Sequence, residues 1–367
     1  MRGDGRGASQ TLLPFPLKLD FPTANAPAGA ISEDKTMKKI GLALSLICTA
    51  LFLAPTVAQA QATRTWVSGV GDDVNPCSRT APCKTFPGAI AKTAAGGEID
   101  TLDPGSFAPV TIVKAITIAS EGSGEAGILT SGTNGVTVNC TTDPNCVVIL
   151  RGLEIDGGPT GSNSLAGVKF IAGKALFVQN CQIRNFTGGS PNGYGIAFTP
   201  STGGGTAALY VQNTNLAQNG TGGTGGGIFV QPTGTLAVTV SVENSQASNN
   251  GFGIRTDSSQ MSGGSIQLAV SDSETNGNAS AGVAVISATT GGIADVGVIA
   301  RTTMAHNGVG VNANGPMASL HIGASMLFDN AIGVKLANSG TADSFGGNQF
   351  YNNPTGPGPT LTIVGPF

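Results

Sequence analysis

The sequence predicts an all-β protein: a right-handed single-stranded parallel β-helix with three strands per coil, about nine to ten coils and a short N-terminal capping helix. Three observations predict this fold class. One apolar pattern recurs along the chain, the pattern alternates with period two, and the composition favours turns. Glycine accounts for 56 of the 367 residues, charged residues for 11% and aromatic residues for 5%. Since an average protein has about 25% charged residues, we expect an aliphatic core beneath a plain surface.

The recurring unit begins with a glycine and an alternating apolar pair, and it occurs eight times at intervals of 23–32 residues. Period-two alternation is typical of strands rather than helices. The pairs are Val136/Val138, Val168/Phe170, Ile196/Phe198, Ile228/Val230, Ile254/Thr256, Val283/Val285, Val311/Ala313 and Val334/Leu336. The preceding glycines are Gly135, Gly167, Gly195, Gly227, Gly253, Gly282, Gly310 and Gly333.

A second alternating strand and a third apolar position follow most of these pairs. The predicted inward residues of the second strand are Leu176/Val178, Leu209/Val211, Val240/Val242, Leu268/Val270, Val296/Val298 and Leu320/Ile322. The third positions are Ile183, Leu216, Ala247, Thr275, Met304 and Leu327. One coil cannot bury its own apolar face, whereas stacked coils form a continuous apolar column. A β-sandwich or a two-layer α/β fold is the alternative, but neither explains one pattern repeated in the same register.

An asparagine recurs near the turn that follows the third strand. The series is Asn185, Asn219, Asn249, Asn278, Asn307 and Asn330. Stacked asparagine amides can bond to one another and to buried backbone groups. We therefore interpret the series as a structural ladder rather than as a binding motif.

The N-terminal region contains the pattern of a secretory signal peptide. Met37, Lys38 and Lys39 precede an apolar run over 40–53, and Ala58-Gln59-Ala60 fits the small-residue cleavage rule. The prediction is a signal peptide over 37–60, and an upstream extension over 1–36 that is absent from the native protein. The alternative is a genuine extension with an uncleaved anchor helix. No second apolar span follows, so we expect an exported protein without stable membrane insertion after cleavage.

The cysteines of the remaining chain agree with export. Cys77 and Cys83 are six residues apart, as are Cys140 and Cys146, and two local disulfides fit an oxidising compartment. Zinc binding is the alternative, but the spacing is not the CxxC of common zinc sites. Cys181 lies in a predicted strand, and we interpret it as a buried thiol.

Three regions are expected after the signal peptide. Residues 61–96 form a disulfide-clipped cap whose short helix spans 87–95, and Gly96-Gly97 separates this helix from the first strand. Residues 97–353 form the parallel β-helix, and 354–367 form a C-terminal tail without a helical cap.

The segment from Cys77-Ser78 to Pro82-Cys83-Lys84-Thr85-Phe86, followed by a small helix and the strand Gly96-Gly97-Glu98-Ile99, resembles secreted proteins of the pectin-lyase-like superfamily. The repeated glycine-led strands and turn asparagines are similar to its β-helix repeats. The resemblance covers about residues 66–353. It implies the fold, but this scaffold hosts lyases, hydrolases, esterases and adhesins.

The residues that polysaccharide-cleaving chemistry requires are sparse. A lyase needs a cation and a base, and a hydrolase needs two carboxyl groups about 5–9 Å apart. Glu154 and Asp156 near Arg151 could bind one cation, but we interpret them as an outward polar face. Asp272 and Glu274 fall at a turn.

The two histidines, His306 and His321, have no evident partner in the sequence, so we interpret both as surface residues. We expect no metal, no cofactor and no nucleic-acid partner, and we assign no catalytic residue. The sequence leaves the oligomeric state open.

One set of outward residues suggests a binding surface. Lys169, Phe229, Arg255 and Lys335 fall between inward positions of the first strand, and Phe177, Tyr210 and His321 occupy such positions in the second strand. We predict a ligand-binding row of Lys169, Phe229, Arg255, Lys335 and Tyr210. The predicted function is an exported, non-catalytic β-helix protein that binds polysaccharide along a strand face. The alternative is a polysaccharide lyase or glycoside hydrolase acting on an acidic glycan.

Overall fold

The computed structural model describes residues 61–201, 205–355 and 361–364. The predicted signal peptide and the upstream segment 1–36 lie outside the described residues, as does part of the predicted tail. The described residues belong to one compact unit, Ala60–Phe367.

The chain forms one helix and 31 strands within these residues. The helix is α1 (Phe86–Lys92). The first strands are β1 (Ala62–Val67), β2 (Thr93–Thr101), β3 (Gly105–Ser106), β4 (Val110–Ile112), β5 (Ile116–Ala119), β6 (Ala126–Leu129), β7 (Val136–Asn139), β8 (Val147–Arg151), β9 (Glu154–Asp156) and β10 (Ala166–Ala172). The middle strands are β11 (Ala175–Gln179), β12 (Gln182–Arg184), β13 (Tyr194–Phe198), β14 (Thr206–Gln212), β15 (Asn215–Ala217), β16 (Gly226–Val230), β17 (Ala237–Glu243), β18 (Gln246–Ser248), β19 (Ile254–Asp257) and β20 (Ser265–Ser271). The last strands are β21 (Glu274–Asn276), β22 (Ala281–Ile286), β23 (Asp295–Ala300), β24 (Thr303–Ala305), β25 (Val309–Asn314), β26 (Ala318–Gly323), β27 (Met326–Phe328), β28 (Ile332–Ala337), β29 (Thr341–Gly346), β30 (Gln349–Tyr351) and β31 (Thr362–Ile363).

Successive strands of the chain enter three different sheets, and each strand pairs with its counterpart one coil away. The twelve-stranded sheet has the order β1-β2-β5-β8-β11-β14-β17-β20-β23-β26-β29-β31. The nine-stranded sheet runs from β4 to β28, and the ten-stranded sheet runs from β3 to β30, each in steps of three along the chain. The pairings are parallel. The chain is therefore a parallel β-helix with three strands per coil, and it is right-handed, the hand that parallel crossovers adopt. The predicted fold class is confirmed.

The core consists of equivalent aliphatic residues that lie above one another in register. Val168 pairs with Val136 and Ile196, and Ile228 pairs with Ile196 and Ile254. The first members of all eight predicted pairs are at most 1% exposed. Each coil thus completes the apolar contact of the next, as the sequence pattern predicts.

One strand departs from the predicted register. In β23 the inward residues are Asp295, Gly297 and Ile299, because Gly297 pairs with Leu268 and Leu320. The prediction of Val296 and Val298 as inward residues was wrong, and Val298 is 39% exposed. The inward glycine makes room for its neighbours: a Cβ on Gly297 would lie 2.8 Å from Leu320 Cδ2.

The recurring glycines form a column in which successive backbones touch. A Cβ on Gly227 would lie 2.6 Å from the carbonyl oxygen of Gly253, and one on Gly253 would lie 2.4 Å from that of Gly282. Real Cβ atoms do not approach a backbone so closely. The small residue before each apolar pair is therefore required by the stacking of one coil on the next.

A buried asparagine ladder runs beside this column. Asn278 Nδ2 donates to Asn307 Oδ1 at 2.9 Å and to the carbonyl oxygen of Ala247 at 2.9 Å. The backbone N–H of Asn250 donates to Asn278 Oδ1 at 3.0 Å. The ladder members are Asn219, Asn250, Asn278, Asn307, Asn330 and Asn353.

Two predicted ladder positions were wrong by one residue. Asn250 rather than Asn249 stands in the ladder. One coil before Asn219, the equivalent place is occupied by Phe186 rather than Asn185, and the N–H of Phe186 donates to Asn219 Oδ1. Asn185 and Asn249 instead have φ of 65° and 58°, a left-handed conformation that asparagine tolerates well. They form the turn just before the ladder.

A second polar ladder lies at another corner of the coil and was not predicted. The hydroxyl of Ser245 accepts a hydrogen bond from the N–H of Thr214 at 3.2 Å and donates to the carbonyl of Glu243 at 2.8 Å. Cys181 is the first member, since its Sγ faces the carbonyl of Gln179 at 3.2 Å. The later members are Thr214, Ser245, Ser273, Thr302 and Ser325.

Helix α1 and the Cys77–Cys83 disulfide lie at the N-terminal end of the described β-helix, where β1 already pairs with β2 in the twelve-stranded sheet. Disulfides join Cys77 to Cys83 and Cys140 to Cys146, as predicted. Helix α1 packs on β1, β2 and β4, and its N-cap residue Thr85 accepts a hydrogen bond from the N–H of Gly88 at 3.0 Å. Strand β2 begins at Thr93, directly after the helix and earlier than predicted. The structure contains no helix long and apolar enough to span a membrane within the described ranges.

Candidate functional site

The structure separates the predicted binding row into two faces. Lys169, Phe229, Arg255 and Lys335 lie in one register row on the outside of the nine-stranded sheet, joined through Ala197, Ala284 and Asn312. Tyr210 lies on the twelve-stranded sheet, where it pairs with Phe177. The five residues predicted to bind a ligand therefore lie on two different sheets.

The nine-stranded face does not offer an aromatic platform. Phe229 is only 8% exposed, because the rings of Tyr194 and Phe252 pack on it at centroid distances of 4.7 and 6.1 Å. The Arg255 guanidinium lies 5.5 Å above the Phe229 ring and pairs with Asp257 at 2.7 Å. The rings of this cluster pack on one another and Arg255 is paired with Asp257, so we assign the cluster a structural role.

Lys169 and Lys335 lie on either side of this cluster on the same face. Lys169 is half-buried, and burial lowers the pKa of its ammonium group. Lys335 is exposed at the other end of the row. The buried ring of Phe229 and the paired Arg255 lie between the two lysines.

An accessible aromatic pair lies on the twelve-stranded sheet. Phe177 and Tyr210 occupy equivalent outward positions on β11 and β14, and their rings stack at a centroid distance of 4.6 Å. Both are half-buried, so one edge of the stack faces solvent. They border a depression of about 140 Å³ that Gln179, Gln212 and Glu243 also line.

The amides beside this pair are available to a ligand. Gln179 pairs in register with Gln212, which pairs with Glu243. Within 61–201, 205–355 and 361–364, the side chains of Gln179 and Gln212 make no hydrogen bond. Only their backbone carbonyls accept hydrogen bonds from other side chains. An aromatic surface flanked by free donors and acceptors suits a ligand with both C–H faces and hydroxyl groups. Sequence alignment of the coils identified Tyr210 and Phe177, but not the glutamines.

The acidic pair of the ten-stranded sheet is occupied by an arginine. Arg184 binds Glu154, and its Nε lies 2.9 Å from Asp156 Oδ2. Arg151, the arginine nearest to them in sequence, instead pairs with Glu121 at 2.9 Å. Arg184 lies one coil above Asp156 in register, so spatial stacking rather than sequence proximity selects the partner. Among the described residues, no group of three potential metal ligands occurs.

Each histidine lies near a carboxylate one coil away, which the sequence did not reveal, and both side chains lie on the outer face. His306 Nε2 lies 3.5 Å from Asp329 Oδ2, and His321 Nδ1 lies 3.6 Å from Asp343 Oδ2. Asp272 has a φ of 51° and accepts two hydrogen bonds from Arg301 at 2.7 and 2.6 Å. It occupies a turn.

Comparisons with known proteins give similarity in fold. No family model matches the chain, and no curated protein matches its sequence. The crystal structure of pectate lyase Pel9A is similar at 16% identity with a TM-score of 0.43, over 78% of this chain and 79% of that one. The crystal structure of an alginate lyase from Paenibacillus sp. str. FPU-7 is similar at 14% identity with a TM-score of 0.44, over 83% of this chain and 99% of that one.

Proposed function

We propose that the protein is an exported, non-catalytic β-helix protein of the cell surface, periplasm or extracellular space that binds polysaccharide on the outer face of the twelve-stranded sheet. The observation that carries the proposal is the stacked Phe177–Tyr210 pair beside the free amides of Gln179 and Gln212. Two disulfides support an oxidising compartment.

The charge pairing of the outer faces supports a binding role without catalysis. Arg184, Arg255 and Arg301 each engage a carboxylate. The pairs of Arg184 and Arg301 join neighbouring coils, and the pair of Arg255 lies within one strand. A lyase or hydrolase requires convergent titratable groups beside the substrate. The Phe177–Tyr210 depression has one carboxylate, Glu243, among its lining residues, and two are needed for acid–base cleavage of a glycosidic bond.

The test compares ring removal at this face with ring removal elsewhere. Phe177→Ala and Tyr210→Ala should each weaken retention on polygalacturonate, alginate or peptidoglycan about tenfold, because each removes half of the stacking surface. Tyr351→Ala is the matched control, since Tyr351 is an aromatic residue of the ten-stranded sheet that is 75% exposed. Equal retention of all three variants and the unmodified protein would refute the binding face.

A separate assay addresses catalysis. The purified protein is incubated with a panel of uronate polymers, and unsaturated products are followed by ultraviolet absorbance and reducing ends by a sugar assay. We expect no product from any polymer. Product release that Phe177→Ala abolishes would replace the binding role with a lyase or hydrolase at the same face.

A further inference from the structure

The outer face of the ten-stranded sheet carries a row of polar side chains in strict register. Gln182 pairs with Glu154 and Asn215, and Asn215 pairs with Gln246. The complete row is Glu154, Gln182, Asn215, Gln246, Glu274, Thr303, Met326 and Gln349. We call these eight residues the amide row. Seven strand spacings of about 4.8 Å give it a length of roughly 34 Å.

The amide row connects two depressions in the surface. At its N-terminal end, Glu154 borders a depression of about 210 Å³ whose wall includes Gly105 and Gly127. At the C-terminal end, Met326 and Gln349 border a depression of about 200 Å³. The row and its two ends therefore form one elongated surface parallel to the helix axis.

The central amides of this surface are free to bind. The side chains of Gln182, Asn215 and Gln246 make no hydrogen bond to another described residue, whereas their backbone N–H groups pair with the preceding coil. In the neighbouring row, the small residues Ala217 and Ser248 lie beside Asn215 and Gln246, whereas Arg184 lies beside Gln182. Each amide supplies donors and an acceptor, so each can bind a hydroxyl group.

We propose that the amide row is a second glycan-binding track, which takes a neutral polysaccharide lying parallel to the helix axis. The regular spacing suits a ligand that presents hydroxyl groups repeatedly along its length. The charges select against uronates, because Glu154 and Glu274 belong to the row. Two described arginines border the surface, and both are already paired: Arg184 with Glu154 and Asp156, and Arg301 with Asp272. The proposal is independent of the Phe177–Tyr210 face because the two lie on different sheets.

The test is calorimetric titration of the purified protein with cellohexaose, laminarihexaose and mannohexaose, and with hexagalacturonate as the charged counterpart. We expect at least one neutral hexasaccharide to bind and hexagalacturonate to bind at least tenfold more weakly. The triple variant Gln182→Ala/Asn215→Ala/Gln246→Ala should lose affinity for the neutral ligand by roughly tenfold or more, since it removes three sets of hydrogen bonds.

Two controls separate this track from the other face. Gln267→Ala removes an exposed amide from the twelve-stranded sheet, and Phe177→Ala/Tyr210→Ala removes the aromatic pair. Both should bind the neutral hexasaccharide like the unmodified protein. The proposal is overturned if no neutral hexasaccharide binds, if the triple variant binds as tightly as the unmodified protein, or if the aromatic double variant loses the same affinity.

Discussion

We expect one carboxyl group in the core of the β-helix to make the stability of this protein depend on pH. Asp295 faces the core and is 0% exposed. Its Oδ1 lies 2.7 Å from Thr256 Oγ1, and its Oδ2 accepts a hydrogen bond from the N–H of Ile286 at 3.3 Å. The protonated acid suits this place well, because Oδ1–H can donate to Thr256 while Oδ2 accepts from Ile286.

The magnitude follows from the difference in pKa between the folded and unfolded chain. Burial raises the pKa of Asp295 from 3.8 to about 8. Between these values the folded protein holds a proton that the unfolded chain has released, so stability falls as pH rises. The loss is about 1.4 kcal/mol for each pH unit and on the order of 5 kcal/mol in total. Below the unfolded pKa both states are protonated and the penalty vanishes.

The perturbation that exposes this effect is Asp295→Asn. The amide has the shape of the protonated acid: Nδ2 can donate to Thr256 Oγ1, and the amide oxygen can accept from Ile286. We expect the variant to match the unmodified protein within about 1 kcal/mol near pH 4 and to exceed it by several kcal/mol near pH 8. Urea unfolding followed by far-ultraviolet circular dichroism, repeated across this range, measures the difference.

The pH dependence is the decisive part of that experiment. Glu274→Gln, which removes one negative charge from the surface, corrects for the change in net charge. A difference between the Asp295→Asn variant and the unmodified protein that stays constant from acid to alkaline pH would refute the reasoning. So would a difference that is largest at acid pH.

Three further predictions concern the columns that align the coils. Asn278→Ala should lower the free energy of unfolding, measured by urea titration, by about 2–4 kcal/mol, because it leaves buried ladder groups without partners. Asn249→Gly in the left-handed turn should be nearly neutral. Equal effects of the two variants would contradict the ladder. Gly253→Ala should lower the free energy of unfolding by about 3 kcal/mol or more. Its control is Gly189→Ala, where a Cβ meets open space, and it should change that free energy by less than about 0.5 kcal/mol. Burial raises the pKa of Cys181 to about 11, so a thiol reagent should label it only after unfolding, and rapid labelling of the folded protein would contradict its assigned place.

The sequence predicted the inner columns because their information is local and repeated. Ile196, Ile228 and Ile254 each follow a glycine and alternate with outward residues, so aligning the coils was enough to place them. The same alignment failed at Val296 and Val298, because these two valines match the apolar pattern better than Asp295 and Gly297, which face inward. The shape of the core decides the register, since only a glycine fits against Leu320 at this place.

The ladder errors have a related origin. Asn249 and Asn250 are adjacent, and both residue positions in this turn favour asparagine for different reasons. One requires a left-handed backbone and the other requires an amide that reaches its neighbours along the axis. A pattern of residue types does not distinguish these requirements, whereas the hydrogen bonds to Asn219 and Asn278 do.

The candidate site was only partly predictable because turns vary in length. Register placed Phe177 above Tyr210 and also placed Phe229 in the basic row. It could not reveal that Tyr194 and Phe252, which flank turns of other coils, fold over Phe229. The exposure of an outward side chain is therefore decided by the turns that pack on it, even where the strand register is certain.

The division between inward and outward positions explains how the molecule can hold a fixed architecture and a variable surface. The glycine column and the two polar ladders bond along the axis, in the same direction as the sheets, so they align coils without involving the outer rows. Gln182, Asn215 and Gln246 have no partner in that framework, and neither do the glutamines beside Phe177. These outward residues recur at the spacing of the coils, and the fold does not need them. They can therefore bind a ligand without a loss of stability.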